Sequence, residues 1–414
     1  MLLRVDADRF RADFDALAAI GATPDGGLER TTFSTAHLAA RAWFLERAAA
    51  AGLETRIDGA ANHSALVPAR DAGARTLLLG SHLDSVSRGG RFDGALGVVC
   101  ALEVLRAVQD AGLELPVTLE AVDFTDEEGT LIGTFGSLAL AGSLTHEGLV
   151  APRCGRELLV AELARVGLSE ESILAARRDP ASLAGYLELH IEQGPVLARE
   201  GIEIGIVTGI VGTASFTVMF EGEARHAGTT PMVVRRDAAV AAAAFVLGVR
   251  ELTIRDYPGA VATVGDVRVE PGAFNVVPGR ARLRLECRSL HAPEVESLAR
   301  ALTDLANETA RTEGVEVTVE PVGRAAPAPT AQTVRAALAG AAADLGLTTM
   351  ELASGAGHDA QSLAAITPSG MVFVPSIGGV SHDPSEETAW PDCLNGANVL
   401  LNAAVRLAEA AGRG

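Results

Sequence analysis

Imidazole and carboxylate side chains gather at four places in this chain. His82 and Asp84 lie in the run Gly80–Ser85, followed closely by Asp93 before Gly94. Glu127 and Glu128 stand together in Thr125–Gly129. His190 and Gln193 belong to Leu189–Gly194, and His382 follows Gly378-Gly-Val-Ser. Taken singly, each fits an ordinary loop, because Asp-Gly is usually a turn and adjacent glutamates are usually solvated. Together they share a feature that loops do not explain: each follows an apolar run that reads as a strand. Neutral imidazoles and carboxylates are the normal ligands of zinc and its neighbours, and one bridging carboxylate can hold two ions. Binding of divalent metal ions is the chemistry these residue types could perform.

The elements that must position them follow from the pattern. Thr76–Gly80, Val117–Phe124, Tyr186–Ile191 and Met371–Val374 read as buried strands, and Gly97–Val108 as the helix after the first. Strands alternating with helices predict an α/β domain with a mostly parallel sheet, whose sites form beyond the carboxyl ends of its strands. From about Thr213 to Pro321 the rhythm changes. Strand signals at Ser215–Glu221, Ala260–Val269, Ala281–Cys287 and Val315–Val319 alternate with helical stretches at Asp237–Leu252 and Pro293–Glu313. That β-α-β-β-α-β order predicts an inserted α+β, ferredoxin-like module over residues 213–322, within a main domain of residues 1–212 and 323–414. Ala325–Pro329 reads as a hinge, and the exposed edges of the module's sheet as a place for pairing.

The motifs resemble the hydantoinase/carbamoylase branch of the dinuclear metallopeptidase-like amidohydrolases. That branch includes N-carbamoyl-L-amino acid hydrolases, allantoate amidohydrolases and β-ureidopropionases. Gly-Ser-His-Leu-Asp-Ser-Val, Arg-Phe-Asp-Gly, Glu-Glu-Gly, His-Ile-Glu-Gln-Gly-Pro, His-Ala-Gly-Thr-Thr-Pro-Met, Phe-Asn-Val-Val-Pro-Gly and Ser-His-Asp occur in the family's order, across nearly the whole chain. The resemblance implies two divalent ions per subunit, zinc first, with manganese, cobalt or nickel also suited. His82 and His190 would be terminal ligands, one on each ion, with Asp93 bridging and Glu128 and His382 completing the set. Glu127 would be the general base, acting on a water whose pKa the ions lower. Asp84 would orient the imidazole of His82. In the inserted module, which would act as lid and dimerisation domain, His226 resembles the residue that stabilises the tetrahedral oxyanion. Asn275 and Arg288 resemble the residues holding a substrate carboxylate, for which a guanidinium fork is apt. Gln193 would meet the ureido group or carboxylate, and His358, beside Asp359, would also lie at the substrate. His37, His63, His146 and His291 lack such context and read as structural or surface residues. One departure stands out: after Glu-Glu-Gly this chain reads Thr130–Gly136 where many relatives carry Ser-Arg-Phe.

The resemblance thus implies a hydrolase of linear amides, cleaving the carbamoyl C–N bond of an N-carbamoyl-L-amino acid, or alternatively of allantoate or β-ureidopropionate. Aminoacylases and aminopeptidases of the same superfamily are a more distant reading. They usually place the bridging Asp much further along, whereas only ten residues separate His82 from Asp93 here. A non-catalytic metal-binding homologue would be expected to lose the base, and Glu127 is present. Composition narrows the field further. All 34 basic residues are arginine, which excludes Schiff-base lysine chemistry and a lysine-bearing phosphate loop. A net charge of −19 disfavours nucleic-acid partners. Ala238–Val249, the longest apolar run of note, is too short to span a bilayer and reads as a helix packed in a core. Met1–Phe14 carries charges unlike a signal peptide. Cys100, Cys154, Cys287 and Cys393 read as free thiols in a reducing cytoplasm. The expected partners are a small ureido or amide acid and a second copy of the chain, with neither membrane nor nucleic acid.

Overall fold

The computed structural model describes residues 2–412. It divides into two compact units: one joins the chain up to Gly209 with the chain from Pro329 onward, and the other is Ile210–Ala328.

The first unit is built on a nine-stranded sheet. Four strands at its centre, in the order Thr118–Phe124, Thr76–His82, Leu183–Ile191 and Ser369–Val374, run parallel. Their side chains are buried on both faces, so they read as unbroken apolar runs rather than alternating ones. Helices Ala95–Asp110 and Trp390–Ala411 supply much of the cover. Val98, Leu102, Leu105, Leu400 and Leu401 join one apolar core with Leu77, Leu79 and Leu189.

Antiparallel strands flank this centre. His63–Val67 pairs with Thr118–Phe124, and Ile204–Ile210 pairs with Ser369–Val374. The outermost, Glu54–Ile57, is exposed at every residue and carries no period-two signal that would reveal it in sequence. Beneath the carboxyl ends of the parallel strands, Arg41 forms an ion pair with Asp123 at 2.8 Å, both fully buried. Burial still pushes the Asp123 carboxyl up to about 6, against the pull of Arg41. Arg30 is buried with it, donating to the carbonyls of Leu83 and Leu17.

The second unit has a four-stranded antiparallel sheet in the order Glu316–Ala325, Gly212–Glu221, Arg280–Ser289, Val261–Glu270. Gly212–Glu221 alternates buried and half-buried without a break. Its inner face packs Phe216, Val218 and Phe220 against Phe245, Leu298 and Leu302 of the helices Ala238–Asp256 and Ala292–Glu313. The apolar run Ala238–Val249 was expected to be a helix packed in a core, and the helix Ala238–Asp256 is packed on one side only. It buries Ala238, Ala241, Ala242, Phe245 and Val249, and exposes Val240, Leu247 and Ile254 on the other side.

Among the described residues, no helix is long and apolar enough to cross a membrane. Cys100, Cys287 and Cys393 are buried, Cys154 is half-buried, and all four are free.

Candidate metal centre

The strand ends deliver the donors. His82 closes the strand Thr76–His82, and His190 is the penultimate residue of Leu183–Ile191. Asp93 lies just before helix Ala95–Asp110, Glu127 and Glu128 follow Thr118–Phe124, and His382 follows Ser369–Val374. Asp93 Oδ1 is 3.5 Å from His82 Nε2 and 3.2 Å from His190 Nε2, while its Oδ2 is 3.4 Å from His382 Nε2. Glu128 Oε2 is 3.5 Å from the same His382 nitrogen. Donors about 2.0–2.1 Å from a tetrahedral ion stand about 3.3 Å from one another. The observed separations fit donors arranged around a cation. Two three-donor groups result, His82–Asp93–His190 and Asp93–Glu128–His382, each with its donor atoms within 4.8 Å of one another. Asp93 belongs to both. The grouping corrects one expectation, since His82 and His190 fall in the same group rather than one in each. Glu128 Oε1 adds a buried acceptor with no hydrogen-bond partner, which a cation would satisfy.

Backbone groups aim the imidazoles. His82 Nδ1 lies 2.9 Å from the carbonyl oxygen of Asp84, and His190 Nδ1 lies 2.9 Å from that of Ile191. A carbonyl only accepts, so each Nδ1 carries a proton and each Nε2 is the ring atom that faces the other donors. Gly94, at φ +62, has no room for a side chain: a Cβ there would lie 2.4 Å from the His82 ring. Asp84 was expected to orient the imidazole of His82. Its carboxylate is 3.8 Å from Nδ1 and accepts the N–H groups of Glu127 at 3.2 Å and Glu128 at 3.1 Å. The carbonyl of Asp84 thus directs the histidine, and its side chain directs the two glutamates. Thr32 Oγ lies 3.1 Å from Asp84 and 2.8 Å from Asp126. Asp126, at φ +57, accepts the N–H groups of Leu131, Ile132 and Gly133 and so closes the turn that bears Glu127. Leu131 falls within the segment that departs from many relatives, and it is buried beside Phe33 and Phe135.

Glu127 Oε2 is 3.6 Å from His82 Nε2. Burial, with Glu128, Asp359 and Asp93 adding to it, holds the Glu127 carboxyl well above its ordinary range, against His82. Burial and then Asp93 push Glu128 up to about 7. Asp93, despite its burial, is held well below the usual range by His190, His382 and His82. His382 is raised to about 9, chiefly by its contact with Asp93. Burial opposes charge on His82, but Glu127, Asp93 and Asp84 outweigh it and raise the imidazole well above its ordinary value.

Other expected residues fall in several places. Gln193, at φ +58, donates from Nε2 to Asp93 Oδ2 at 2.7 Å. His358 was expected at the substrate. It is 2% exposed, its ring lies 4.6 Å from that of His190, and its Nε2 contacts Ser354 Oγ at 2.8 Å. It supports His190 from behind, in a group with Glu188. Asp359 beside it is fully buried, and its carboxyl is raised well above the ordinary range by burial and then by Glu188. In the second unit, His226 pairs with Val276 across a two-stranded ribbon, and Ala227 N–H donates to the Asn275 carbonyl at 3.0 Å. Arg288 stands near the end of Arg280–Ser289, donating to Glu286 at 2.7 Å. His37 is buried and accepts the Phe33 N–H, whereas His146 and His291 are exposed. Sequence reading missed Ser381 and Glu386, which touch Asp93 or its backbone, and Thr32 and Asp126, which brace the turn bearing the two glutamates. Ser381, next to His382, and Asp126, next to the two glutamates, carried a local signal.

Clustered donors sharing one carboxylate, with a spare carboxylate beside them, suit a metal-dependent hydrolase. Residues 78–406 match the model of peptidase family M20/M25/M40. The N-carbamoyl-L-amino acid amidohydrolase of Geobacillus stearothermophilus is 38% identical over 95% of this chain and 96% of its own length. The allantoate amidohydrolase of Bacillus subtilis is 33% identical over 95% of each. A hydantoinase/carbamoylase family amidase from Burkholderia multivorans superposes with a TM-score of 0.90 at 34% identity, covering 98% of this chain and 99% of that one. This chain belongs to the M20/M25/M40 family, in its hydantoinase/carbamoylase branch, and is an amidohydrolase.

Binding of a divalent ion at pH 7 is expected to release protons, because the His82 and His382 imidazoles, both raised above their ordinary value, hold them in the ion-free site and must give them up to act as ligands. Affinity should rise with pH as these imidazoles lose their protons, and fall away below about 7 as Glu128 protonates. Calorimetry in buffers of different ionisation heat measures this, and binding with no proton release at pH 7 would contradict the arrangement.

Proposed function

We propose that the protein hydrolyses the carbamoyl C–N bond of N-carbamoyl-L-amino acids, with two divalent ions per subunit held by His82, Asp93 and His190 and by Asp93, Glu128 and His382. The observation that carries this reading is the sharing of Asp93 between the two donor groups, with Glu127 beside them. Divalent ions bound there supply Lewis acidity and make a water acidic enough to attack near neutral pH. Zinc suits the donors best, and manganese, cobalt or nickel also fit. Glu127 takes the proton of the attacking water and passes it to the nitrogen that leaves. The carbamoyl reading draws on the relative named for that substrate, and allantoate and β-ureidopropionate are the alternatives. Each carries a carboxylate for Arg288 and Asn275 and an amide for Gln193. His226 is assigned to the oxygen that becomes negative at the tetrahedral stage.

The deciding assay offers the chelated and reloaded enzyme N-carbamoyl-L-amino acids, allantoate, β-ureidopropionate, and N-acetyl and N-formyl amino acids, with Mn, Co and Zn in turn. Release of ammonia or free amine is measured. Turnover confined to N-acyl amino acids would overturn the proposal.

In the same assay, Glu127→Gln is expected to retain metal and lose most turnover, since an amide cannot accept the proton. Glu128→Gln is expected to lose metal. If Glu127→Gln stayed active while losing metal, the two roles would be exchanged. Arg288→Ala should raise KM with little change in kcat, because the substrate carboxylate has the same charge throughout. His226→Ala should lower kcat by roughly 10² to 10³, as other oxyanion donors do. The reverse pattern would reassign both.

We also assign homodimer formation to the second unit. Its sheet has two outer strands, Val261–Glu270 and Glu316–Ala325, and the former exposes Val261 and Val267. Val240, Leu247 and Ile254 recur every seven residues on the outer side of Ala238–Asp256 and are all exposed. Such surface favours pairing with a second copy. Sedimentation is expected to give a dimer that Leu247→Glu with Ile254→Glu dissociates, and a concentration-independent monomer of the parent would refute the assignment.

A further inference from the structure

Glu386 lies four residues beyond His382 and plays no part in the chemistry above. It is 2% exposed. Its Oε1 accepts the backbone N–H of Phe92 at 2.9 Å and that of Asp93 at 3.1 Å. Its Oε2 lies 2.9 Å from Ser381 Oγ, and that same hydroxyl is 2.9 Å from Asp93 Oδ2. Arg91 and Glu387 form a further tie between the same two loops at 2.8 Å. Gly90 leaves space for the carboxylate: a Cβ on Gly90 would lie 2.1 Å from Glu386 Cδ and 2.5 Å from its Cβ.

We propose that Glu386 is a positioning residue for metal binding, which fixes the backbone of Asp93 and locks the loop bearing Asp93 to the loop bearing His382. The inference rests on the reading of Asp93 as a ligand shared by two ions. A shared carboxylate must direct one oxygen to His82 and His190 and the other to His382 and Glu128. That demands a fixed orientation for a side chain that stands in a loop. Glu386 supplies it at two levels. It holds the two N–H groups that set the direction of the Asp93 Cα–Cβ bond, and through Ser381 it reaches the Asp93 oxygen that faces His382. Because Ser381 and Glu386 flank His382 in sequence, the same contacts set the position of that histidine. The two donor groups are then assembled as one unit.

Metal affinity measured by calorimetry on the whole protein tests the proposal independently of turnover. Glu386→Ala is expected to bind divalent ions 10- to 100-fold more weakly, as is usual when a residue orienting a ligand is removed. At saturating metal its kcat should return to within about threefold of the parent, since Glu127 is untouched. Glu386→Gln should restore affinity. Its amide oxygen can accept both N–H groups, and its NH₂ can donate to Ser381, which still donates to Asp93. Gly90→Ala leaves Glu386 in the sequence but displaces its carboxylate, and should weaken binding as much as Glu386→Ala. It carries the test if Glu386→Ala does not fold. Parent affinity in Glu386→Ala or Gly90→Ala would overturn the proposal, and so would an equal loss in Glu386→Gln. Asp93→Asn that still bound two ions at parent affinity would instead overturn the shared-ligand reading itself.

Discussion

Asp93 stands at the junction of three imidazoles, His82 and His190 on one oxygen and His382 on the other, and it is 6% exposed. A carboxylate taken out of water costs several kcal/mol unless opposite charge repays it. Around it lie Glu127 and Glu128, also largely shielded, so the site holds more buried negative charge than its neutral imidazoles could offset. The upward shifts of Glu128 and His382 describe one compromise: protons are held by groups that a cation would otherwise satisfy. Much of the first unit can be understood as the scaffold needed to keep these groups together while they repel one another.

That scaffold works largely through main-chain groups. The carbonyls of Asp84 and Ile191 fix the histidine tautomers, and the carboxylates of Asp84, Asp126 and Glu386 collect N–H groups from the loops that carry the donors. A carboxylate accepting several N–H groups is both charge-stabilised and immobile. The loops after Thr76–His82 and Thr118–Phe124 are thereby tied down by acids that are not themselves ligands. Deeper still, the buried Arg30 supplies positive charge below the cluster, and Arg41 offsets the buried Asp123. Their place at the strand ends explains how a core can tolerate so many acids in one region.

The donors themselves were legible because they sit directly after apolar strands, where a chain otherwise turns to Gly, Asn or Ser. The parallel centre was legible for the same reason: Leu77, Leu78 and Leu79 form an unbroken apolar run. What did not follow from order along the chain was convergence. Nothing in the spacing of His82, His190 and His382 says which two share an oxygen of Asp93, and the pairing depends on how strands neighbour one another across the sheet. Asp84 shows a subtler limit. Its sequence position put it near His82, but whether its carbonyl or its carboxylate does the orienting depends on backbone direction. Glu54–Ile57 and the short helices Phe135–Ala141 and His146–Val150 lacked period and length to be foreseen. Tertiary contact, not local preference, decides such elements.

Sheet architecture also sorts the two units by the job each can perform. In the first, both faces are covered, so polar groups gather at the strand ends, where loops can desolvate them and shift their pKa values. In the second, one face of an antiparallel sheet is packed and the other holds Arg282, Arg284, Glu286 and Arg288 in contact with solvent. Charges there are screened by solvent. What such a surface offers is a set of fixed, always-ionised guanidinium groups, able to meet a carboxylate without a change of protonation. Buried acids with shifted pKa values are thus grouped in the first unit, and solvent-facing guanidinium groups in the second. Under the proposed function the former would move protons, while the latter would meet a substrate charge that stays constant throughout the reaction.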